Sequence, residues 1–335
     1  MDGIRKLASL QKILNIQPIP GADNIEVATV LGWNVVVRKN EFKVGDLVVY
    51  FEIDSLIPRN PWCEFLFKDI ESKFSRLKTK KLRGQISQGL IIPIPEGISG
   101  SEGDDLTEIL GVKKWELVIP AQLMGQVKGN FPHFLRKTDV ERIQSSPRLM
   151  DEFKDKDVYV AIKMDGTSTT FYRHNEVVGV CSRNLELKPD AETAYWKMFN
   201  KYDIENKLNK LGRNIAIQCE THGPGIQKNR MGASEVSIAV FDVYDIDKQL
   251  YVGYDEMISI CKELDIPTVA IIYRGIFKWN SVDELLALAD EQKYANGSIS
   301  EGIVIRPTEI TYSECLKGRL SVKAISNKYL LKNEE

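Results

Sequence analysis

Short apolar runs separated by turn residues dominate the first hundred residues of the chain. The runs lie at 25–31, 33–37, 47–53 and 89–94, and they are rich in Val, Ile and aromatic residues, which favour strands over helices. Glycines and prolines separate one run from the next. Several short strands at this spacing are typical of a small β-barrel, so the pattern predicts an N-terminal barrel.

A second, longer region combines strands with helices. Strand-like runs lie at 158–164, 168–172, 177–182, 214–220, 236–244 and 302–306, and helical patterns lie at 191–211, 254–264 and 282–295. Asp255 and Ser281 are the predicted N-caps of the last two helices. We therefore predict an α+β protein with a barrel domain at 1–115, a connector rich in proline and glycine at 116–135, and a second domain at 136–335 built mainly on antiparallel sheet.

Composition excludes several classes of protein. The chain has 335 residues, 43% hydrophobic and 27% charged, which fits two ordinary globular domains. Its apolar runs are far shorter than the roughly 20 residues of a membrane helix, and the N-terminus lacks a secretory signal pattern. We therefore expect a soluble, intracellular monomer that is cytoplasmic by default. The five cysteines form no C-x-x-C pair, and with only three histidines we expect reduced thiols and no zinc site.

Charge is balanced overall but uneven locally. The formal net charge of −2 argues against a protein that coats nucleic acid by its total charge. Residues 68–83, however, contain seven basic side chains and only two acidic ones, Asp69 and Glu71. A basic barrel edge suits a phosphate backbone, with nearby aromatic rings available for base stacking, although a solvated basic loop is the alternative. The predicted nucleic-acid contacts are Lys78, Lys80, Lys81 and Arg83, and the candidate stacking rings are Trp62, Phe65 and Phe74.

Candidate chemistry is concentrated in residues 161–168, Ala-Ile-Lys-Met-Asp-Gly-Thr-Ser. Lys163 ends a predicted strand, and Asp165 and Gly166 follow in a turn. A lysine whose pKa is lowered can act as a covalent nucleophile, and phosphorus is a suitable electrophile. Taken alone, this K-x-D-G pattern more often marks an exposed lysine at a strand end.

Six segments in order resemble the motifs of the covalent nucleotidyltransferases, the superfamily of DNA ligases, RNA ligases and mRNA capping enzymes. Motif I contains Lys163, and the other five segments lie at 181–184, 218–223, 239–244, 300–306 and 320–323. DNA ligases and capping enzymes typically have an OB barrel after the last motif, whereas here a barrel-like region precedes motif I and few residues follow Lys323. Together with the tracts at 129–132 and 137–144, this order resembles the ATP-dependent RNA ligases of the Deinococcus–Naegleria type.

The resemblance implies an OB-fold domain followed by an adenylyltransferase (ATP-grasp-like ligase) domain. It also implies an RNA ligase that uses ATP and Mg²⁺ or Mn²⁺, forms lysyl-AMP, transfers AMP to a 5′-phosphate and joins that end to a 3′-hydroxyl with release of AMP. The implied substrate is a nicked duplex with RNA on the 3′-hydroxyl side, as in RNA repair. A DNA ligase, a GTP-using capping-type transferase, and an RNA-binding OB protein with an inactive transferase domain are the alternatives.

The resemblance also assigns candidate site residues. The catalytic residues are Lys163, Asp165, Arg183, Glu220, Glu301 and Lys323; ATP contacts are Ile162, Lys163, Gly166, Ser168, Arg183, Glu220, Phe241, Lys323 and Lys328; and metal ligands are Asp165, Glu220 and Glu301. Phe241 is expected to stack on adenine, while Glu220 binds either the ribose or the metal.

One position departs from the common pattern of the family. Many relatives have two lysines in motif V, spaced K-x-K, whereas Ser321 stands at the first of these places here. Lys328 or Lys317 is the expected substitute for the missing phosphate contact. His174 and His222 lack a carboxylate at a recognisable spacing, so we expect them to be structural.

Overall fold

The computed structural model describes residues 5–67, 71–115, 125–189 and 192–333. The chain divides into two compact units, and two short segments from later in the chain belong to the first unit. The first unit contains residues 1–118 with 143–147 and 330–335, and the second contains 119–142 and 148–329. Part of the predicted connector, 116–124, lies outside the described residues, so the predicted domain boundaries stay predictions.

Ten strands lie in the described part of the first unit. They are β1 (Ala8–Pro18), β2 (Ile25–Val30), β3 (Trp33–Arg38), β4 (Leu47–Phe51), β5 (Ser55–Pro58), β6 (Phe74–Arg76), β7 (Lys80–Leu82), β8 (Gln85–Ser87), β9 (Leu90–Ile92) and β10 (Lys113–Lys114). One sheet has the order β3-β2-β1-β4-β9, a second has the order β10-β5-β6, and β7 and β8 form a hairpin. Alternate residues of β3 point inward, as expected for strands that cover one core.

The second unit holds the remaining strands. They are β11 (Val127–Asn130), β12 (Glu141–Arg142), β13 (Asp157–Lys163), β14 (Thr167–His174), β15 (Val177–Cys181), β16 (Leu185–Leu187), β17 (Ile215–His222), β18 (Ser237–Asp245), β19 (Leu250–Tyr251), β20 (Ile271–Ile276), β21 (Gly302–Pro307), β22 (Tyr312–Ser313), β23 (Gly318–Arg319) and β24 (Val322–Ile325). A seven-stranded sheet has the order β11-β16-β15-β14-β17-β18-β19, and a five-stranded sheet has the order β12-β24-β21-β13-β20. All of these pairs are antiparallel except β12 with β24.

The helices are short. They are α1 (Leu149–Phe153), α2 (Ala194–Lys201), α3 (Ile204–Leu211), α4 (Tyr254–Glu263), α5 (Val282–Glu291) and α6 (Asn327–Asn333), together with 3₁₀ turns at Pro61–Leu66 and Ile143–Ser145. Apolar faces of α2, α3 and α4 pack in one buried cluster with strands of the seven-stranded sheet. Within the described residues, none of the helices is long and apolar enough to cross a membrane.

Two helix predictions were wrong in detail. The predicted helix at 191–211 is interrupted between α2 and α3, where Asp203 adopts a left-handed backbone conformation with φ 51°. Such a residue cannot continue a right-handed helix, and aspartate is among the side chains that tolerate this region best. The predicted N-cap Asp255 lies in the first turn of α4, and Gly253 is the N-cap. At α5 the cap prediction is confirmed, because the Ser281 hydroxyl accepts a hydrogen bond from the Glu284 N–H.

A buried charge network connects the two large sheets of the second unit. Asp242 of β18 forms an ion pair with Arg306 of β21 at 3.1 Å and accepts a hydrogen bond from Arg319 of β23 at 2.6 Å. The Arg306 guanidinium, only 3% exposed, also donates to the Ser321 hydroxyl at 3.0 Å and to the Phe241 carbonyl at 3.1 Å. Since each charged group has a partner, the network holds β18 and β21 in fixed relative positions.

Replacing Asp242 with Asn is expected to destabilise the fold by about 3 kcal/mol, because it leaves two largely buried guanidinium groups without a counter-charge. Denaturant unfolding measures this loss. The control is Asp255→Asn, which breaks the exposed pair with Arg274 and should cost no more than about 1 kcal/mol. Equal losses in the two variants would contradict the structural role of the network.

Candidate active site

Lys163 is the last residue of β13, which lies between β21 and β20 in the five-stranded sheet. Register places it opposite Gly302, while Ala161 lies opposite Val304 and Val304 lies opposite Lys323. Residues directly opposed in an antiparallel pair share one face of the sheet, and alternate residues of a strand do the same. Lys163 and Lys323 therefore lie on one face, as expected if both serve one ligand.

The turn after Lys163 lies close against β17. A Cβ atom on Gly166 would be 2.3 Å from the Thr221 carbonyl oxygen and 2.9 Å from Cγ of Glu220, so only glycine fits there. Ser168, the next site candidate, lies opposite Glu220 in the β14–β17 ladder, and its hydroxyl is 2.9 Å from that of Thr138. The turn thereby connects β13, which ends at Lys163, to β14, which pairs with the strand that contains Glu220.

Two ion pairs organise the charged groups around Lys163. The Lys163 ammonium donates to Oε2 of Glu301 at 2.7 Å, and the two side chains are 25% and 22% exposed. Asp165 is bound by Arg230, whose Nη1 donates to its Oδ2 at 2.7 Å. The Tyr294 hydroxyl donates to the Lys163 carbonyl at 2.8 Å and accepts from the Glu301 N–H at 3.0 Å, so it fixes both partners of the first pair.

The electrostatics of the cluster are coupled. Burial of the Lys163 ammonium lowers its pKa, but the carboxylates of Glu301, Glu220 and Asp165 outweigh burial, and the pKa ends above its ordinary value. Burial raises the pKa of Glu220 from 4.5 to about 8, with Lys163 opposing the shift and Glu301 and Asp165 adding to it. Glu220 is therefore the carboxyl whose negative charge is least compensated.

The raised pKa of Glu220 predicts a pH dependence of stability. Between about pH 5 and pH 8 the folded chain holds a proton that the unfolded chain releases, so the free energy of unfolding falls as pH rises through this window. Glu220→Gln cannot titrate and should show a shallower fall. Thermal unfolding of both proteins across this range, without divalent cations, measures the difference, and parallel curves would contradict the assignment.

A cavity of about 320 Å³ adjoins this cluster. Its wall includes Ile162 and Met164 on either side of Lys163, Ala239 of β18, and His222, two residues beyond Glu220. A largely apolar cavity with a few polar groups suits a flat heterocyclic ligand. Of the predicted ATP contacts, Ile162 lies in this wall.

Phe241 lies at a β-bulge in the β17–β18 ladder. Val240 pairs with Cys219 and Asp242 pairs with Gln218, so Phe241 is an extra residue without a partner on β17. Bulges redirect side chains and leave backbone groups unpaired. Here the Phe241 carbonyl accepts from Arg306, and its ring packs partly buried against the small cluster of Ala161, Ala239 and Val269. It is not in the cavity wall, and adenine stacking by Phe241 stays a prediction.

The expected substitutes for the missing motif V lysine point elsewhere. Lys317 pairs with Glu314 at 3.0 Å in the exposed turn between β22 and β23, and Lys328 donates to the Asp290 carbonyl at 3.4 Å. Arg142, in contrast, lies directly beside Lys323 in the parallel β12–β24 ladder. The structure therefore offers Arg142 as a second cation next to Lys323, a residue that the sequence analysis did not select.

Arg183 and the two histidines considered in the sequence analysis differ in their surroundings. Arg183 is half exposed and pairs with Asp139, and its charge lowers the pKa of Glu220. His174 packs against the ring of Phe134 at 4.2 Å, as expected for a structural residue. His222, also expected to be structural, borders the cavity, and its Nδ1 is 3.4 Å from the Glu220 carbonyl oxygen.

The basic edge of the first unit is exposed at the β7–β8 hairpin. Lys80, Lys81 and Arg83 are exposed, and Lys78 is half-buried. Phe74 is 37% exposed beneath the Lys113 ammonium, whereas Trp62 stacks on Phe51. Two members of the charged stretch, Lys68 and Asp69, lie outside the described residues.

The three predicted metal ligands supply the hard oxygen donors that Mg²⁺ and Mn²⁺ prefer. Within the ranges that the structure describes, no three His, Cys, Asp or Glu side chains are arranged to hold a metal ion. Asp165 and Glu301 are each held by a basic side chain, and Glu220 has a raised pKa. The donor chemistry fits a divalent cation, because such a cation would replace the proton on Glu220 and compensate the carboxylate charge that this exposes.

Arg230, Tyr294 and Arg142 are the site residues that the sequence analysis missed. Arg230 lies in the loop after motif III, and Tyr294 lies beyond the end of α5. Both reach motif I only through contacts across more than sixty residues, 65 for Arg230 with Asp165 and 131 for Tyr294 with Lys163. Local sequence contains no signal for such contacts.

Comparison with known proteins gives two family matches. Residues 156–325 match the RNA ligase family, and residues 7–94 match an OB-fold domain family. A search of the curated proteins gives no match.

Three solved structures of Naegleria gruberi RNA ligase are similar to the chain over almost its whole length. A variant with ATP and Mn is 39% identical, with a TM-score of 0.89, and the match covers 99% of this chain and 100% of that one. The enzyme with pyrophosphate is 38% identical with a TM-score of 0.88, and 99% of each chain is covered. A variant with AMP and Mn is 38% identical with a TM-score of 0.90, covering 98% of this chain and 99% of that one.

These matches confirm the fold class predicted from the sequence. An OB-fold domain comes first, and a ligase domain rich in antiparallel sheet follows. They also confirm the resemblance drawn from the six motifs. The chain belongs to the RNA ligase family and is a member of the Deinococcus–Naegleria type.

Proposed function

We propose that this protein is an ATP-dependent RNA ligase that seals nicks in duplexes with RNA on the 3′-hydroxyl side. The observation that carries the proposal is the hydrogen bond from Lys163 to Glu301, with Glu220 and Asp165 close enough to shift the lysine pKa, beside a cavity of about 320 Å³. The N. gruberi ligase structures with ATP, AMP, pyrophosphate and Mn support the choice of nucleotide.

In the first step, Nζ of Lys163 attacks the α-phosphorus of ATP. A phosphorus–nitrogen bond forms, the bond to the β-phosphate oxygen breaks, and pyrophosphate leaves. Glu301 accepts a hydrogen bond from the ammonium that has to lose its proton before attack. Lys323, with Arg142 beside it, supplies positive charge for the phosphates. A divalent cation held by Asp165, Glu220 and Glu301 would favour neutral Lys163 by placing a second positive charge near it.

In the next two steps AMP passes from Lys163 to a 5′-phosphate, and a 3′-hydroxyl then displaces AMP to form the phosphodiester. Arg183, half exposed at the site, is suited to contact a phosphate of the nucleic acid through its forked donors. Ile162, Gly166, Ser168 and Phe241 complete the nucleotide site, with Phe241 stacking on the base. Glu220 either contacts the ribose or helps to hold the cation.

The two domains divide the work. Residues 1–115 form the nucleic-acid-binding OB domain, 116–135 the connector and 136–335 the adenylation domain. Lys78, Lys80, Lys81 and Arg83 contact the phosphate backbone, which predicts salt-sensitive RNA binding. That the protein is a cytoplasmic monomer stays a prediction.

Nicked duplexes that differ only in the strand ending in the 3′-hydroxyl test the substrate. With ATP and Mn²⁺, we expect a nick with terminal ribonucleotides to be sealed at least about tenfold faster than its deoxyribonucleotide counterpart, since the 2′-hydroxyl and A-form geometry are what distinguish RNA. Gel separation of sealed and unsealed strands gives both rates. Equal rates would favour a DNA ligase, and RNA binding without sealing would favour the inactive OB protein.

A further inference from the structure

The loop between β17 and β18, residues 223–236, brings a basic side chain to motif I. Arg230 donates from Nη1 to Oδ2 of Asp165 at 2.7 Å, and the two side chains are 20% and 8% exposed. The guanidinium also lies 5.5 Å from the ring centre of Tyr329. The Arg230–Asp165 pair is therefore largely buried, with the guanidinium the more exposed of the two groups.

The backbone of Arg230 is fixed separately from its side chain. Its carbonyl oxygen accepts hydrogen bonds from Nδ2 of Asn296 at 2.9 Å and from the Ser298 hydroxyl at 2.8 Å. Gly232 also lies against Asn296, where a Cβ would come within 2.6 Å of Nδ2. These contacts anchor the loop through its backbone, whereas the guanidinium contacts Asp165 of motif I.

Each of the two basic side chains in the cluster is paired with one carboxylate. Lys163 pairs with Glu301 and Arg230 pairs with Asp165. Arg230 thus pairs with Asp165, one of the three carboxylates proposed to hold the divalent cation. A cation that approaches Asp165 meets the repulsion of the guanidinium and competes with it for Oδ2.

We propose that Arg230 is a positioning residue that acts as the internal counter-cation of Asp165 and sets the affinity of the site for divalent metal. It holds the carboxylate in place in the metal-free chain and weakens metal binding by its charge. The inference rests on the proposed function of the carboxylate cluster. It predicts opposite effects on affinity and on turnover, because removing the guanidinium removes repulsion and orientation together.

Mn²⁺ binding to the full chain without nucleotide tests the proposal, with free Mn²⁺ followed by electron paramagnetic resonance. Arg230→Gln should bind Mn²⁺ about tenfold more tightly than the parent, the scale expected for removing one nearby like charge in a partly solvated site. Arg230→Lys keeps the charge and should stay close to the parent. Weaker or unchanged binding in Arg230→Gln would overturn the proposal, because a purely structural arginine would loosen the site when lost.

Two further variants separate charge from structure. Arg274→Gln removes an arginine from an exposed pair with Asp255 and should leave Mn²⁺ affinity unchanged. In an Asp165→Asn background the carboxylate that Arg230 holds is absent, so Arg230→Gln should give a clearly smaller gain there than in the parent. An equal gain in both backgrounds would overturn the role assigned to the Arg230–Asp165 pair.

The rate of lysine adenylylation provides a second, independent test of the role of Arg230. Arg230→Gln should lower the rate of lysine adenylylation at saturating ATP and Mn²⁺ even though it binds Mn²⁺ more tightly, and Arg230→Lys should restore part of that rate. An unchanged rate would overturn the positioning role. If the parent itself forms no covalent AMP adduct, the proposed function fails, whereas the Mn²⁺ titration still decides the role of Arg230.

Discussion

Replacing Lys163 with Ala is expected to abolish the covalent attachment of AMP. Lys163 ends β13 with its ammonium 2.7 Å from Glu301, and the proposed reaction has no other nucleophile in this position. Removing a covalent nucleophile removes the intermediate altogether, so no slower version of the same step remains. Incubation with α-labelled ATP and Mn²⁺, followed by acid denaturation and gel electrophoresis, measures the adduct.

The matched control is Lys207→Ala, which also removes a lysine ammonium from the second unit. Lys207 lies on α3 and donates to the Asp265 carbonyl at 3.1 Å, so its loss should leave most of the adduct in place. Label on Lys163→Ala equal to that on the parent would refute the assignment of the nucleophile. Labelled GTP in place of ATP tests the capping-type alternative with the same gel.

Glu301→Gln is expected to slow lysine adenylylation on the order of a thousandfold, comparable to the loss of a major electrostatic contact in other active sites. The amide keeps the shape of the side chain and an acceptor oxygen, but it removes the charge that faces the Lys163 ammonium. It also removes one of the three carboxylates proposed to hold the cation. Single-turnover adenylylation at saturating ATP measures the effect on the chemical step.

Glu314→Gln is the control for this change. It breaks a lysine–glutamate pair of similar length, 3.0 Å between Lys317 and Glu314, in the exposed turn between β22 and β23. Adenylylation by this variant should match the parent, since exposed pairs contribute little. A Glu301→Gln enzyme that remains within a few fold of the parent rate would show that Glu301 has no part in the first step.

Much of the fold and the centre of the site could be predicted from the sequence. The strand that ends at Lys163 and the strand that begins directly after Glu301 are short runs rich in Val and Ile with clear ends, and local patterns of this kind predict local structure well. The order of the motifs placed Lys163 and Glu301 in one site, and the structure brings them within hydrogen-bond distance. Gly166 was recognised as a turn residue, and its close approach to Thr221 explains why no side chain fits there.

Other features depend on contacts between distant segments. The break between α2 and α3 arises at Asp203, whose left-handed backbone no hydrophobic pattern reveals. Arg142 reaches Lys323 through a parallel pairing of two-residue β12 with β24, and Arg230 reaches Asp165 from a loop. A basic residue in a loop or a short strand is as typical of solvent-exposed surface as of a site, so the sequence alone could not select either one.

The bulge at Phe241 has a consequence for the length of its strand. Eight residues of β17 pair with nine of β18, so β18 contains one residue that the ladder does not need. The residues on either side of Phe241 pair with consecutive residues of β17, Val240 with Cys219 and Asp242 with Gln218. Removing this residue would therefore leave the partners of Val240 and Asp242 unchanged while it deletes the aromatic ring and the local twist at once. A one-residue deletion thus tests the ring and the bulge together, whereas a substitution such as Phe241→Ala removes the ring and keeps the bulge.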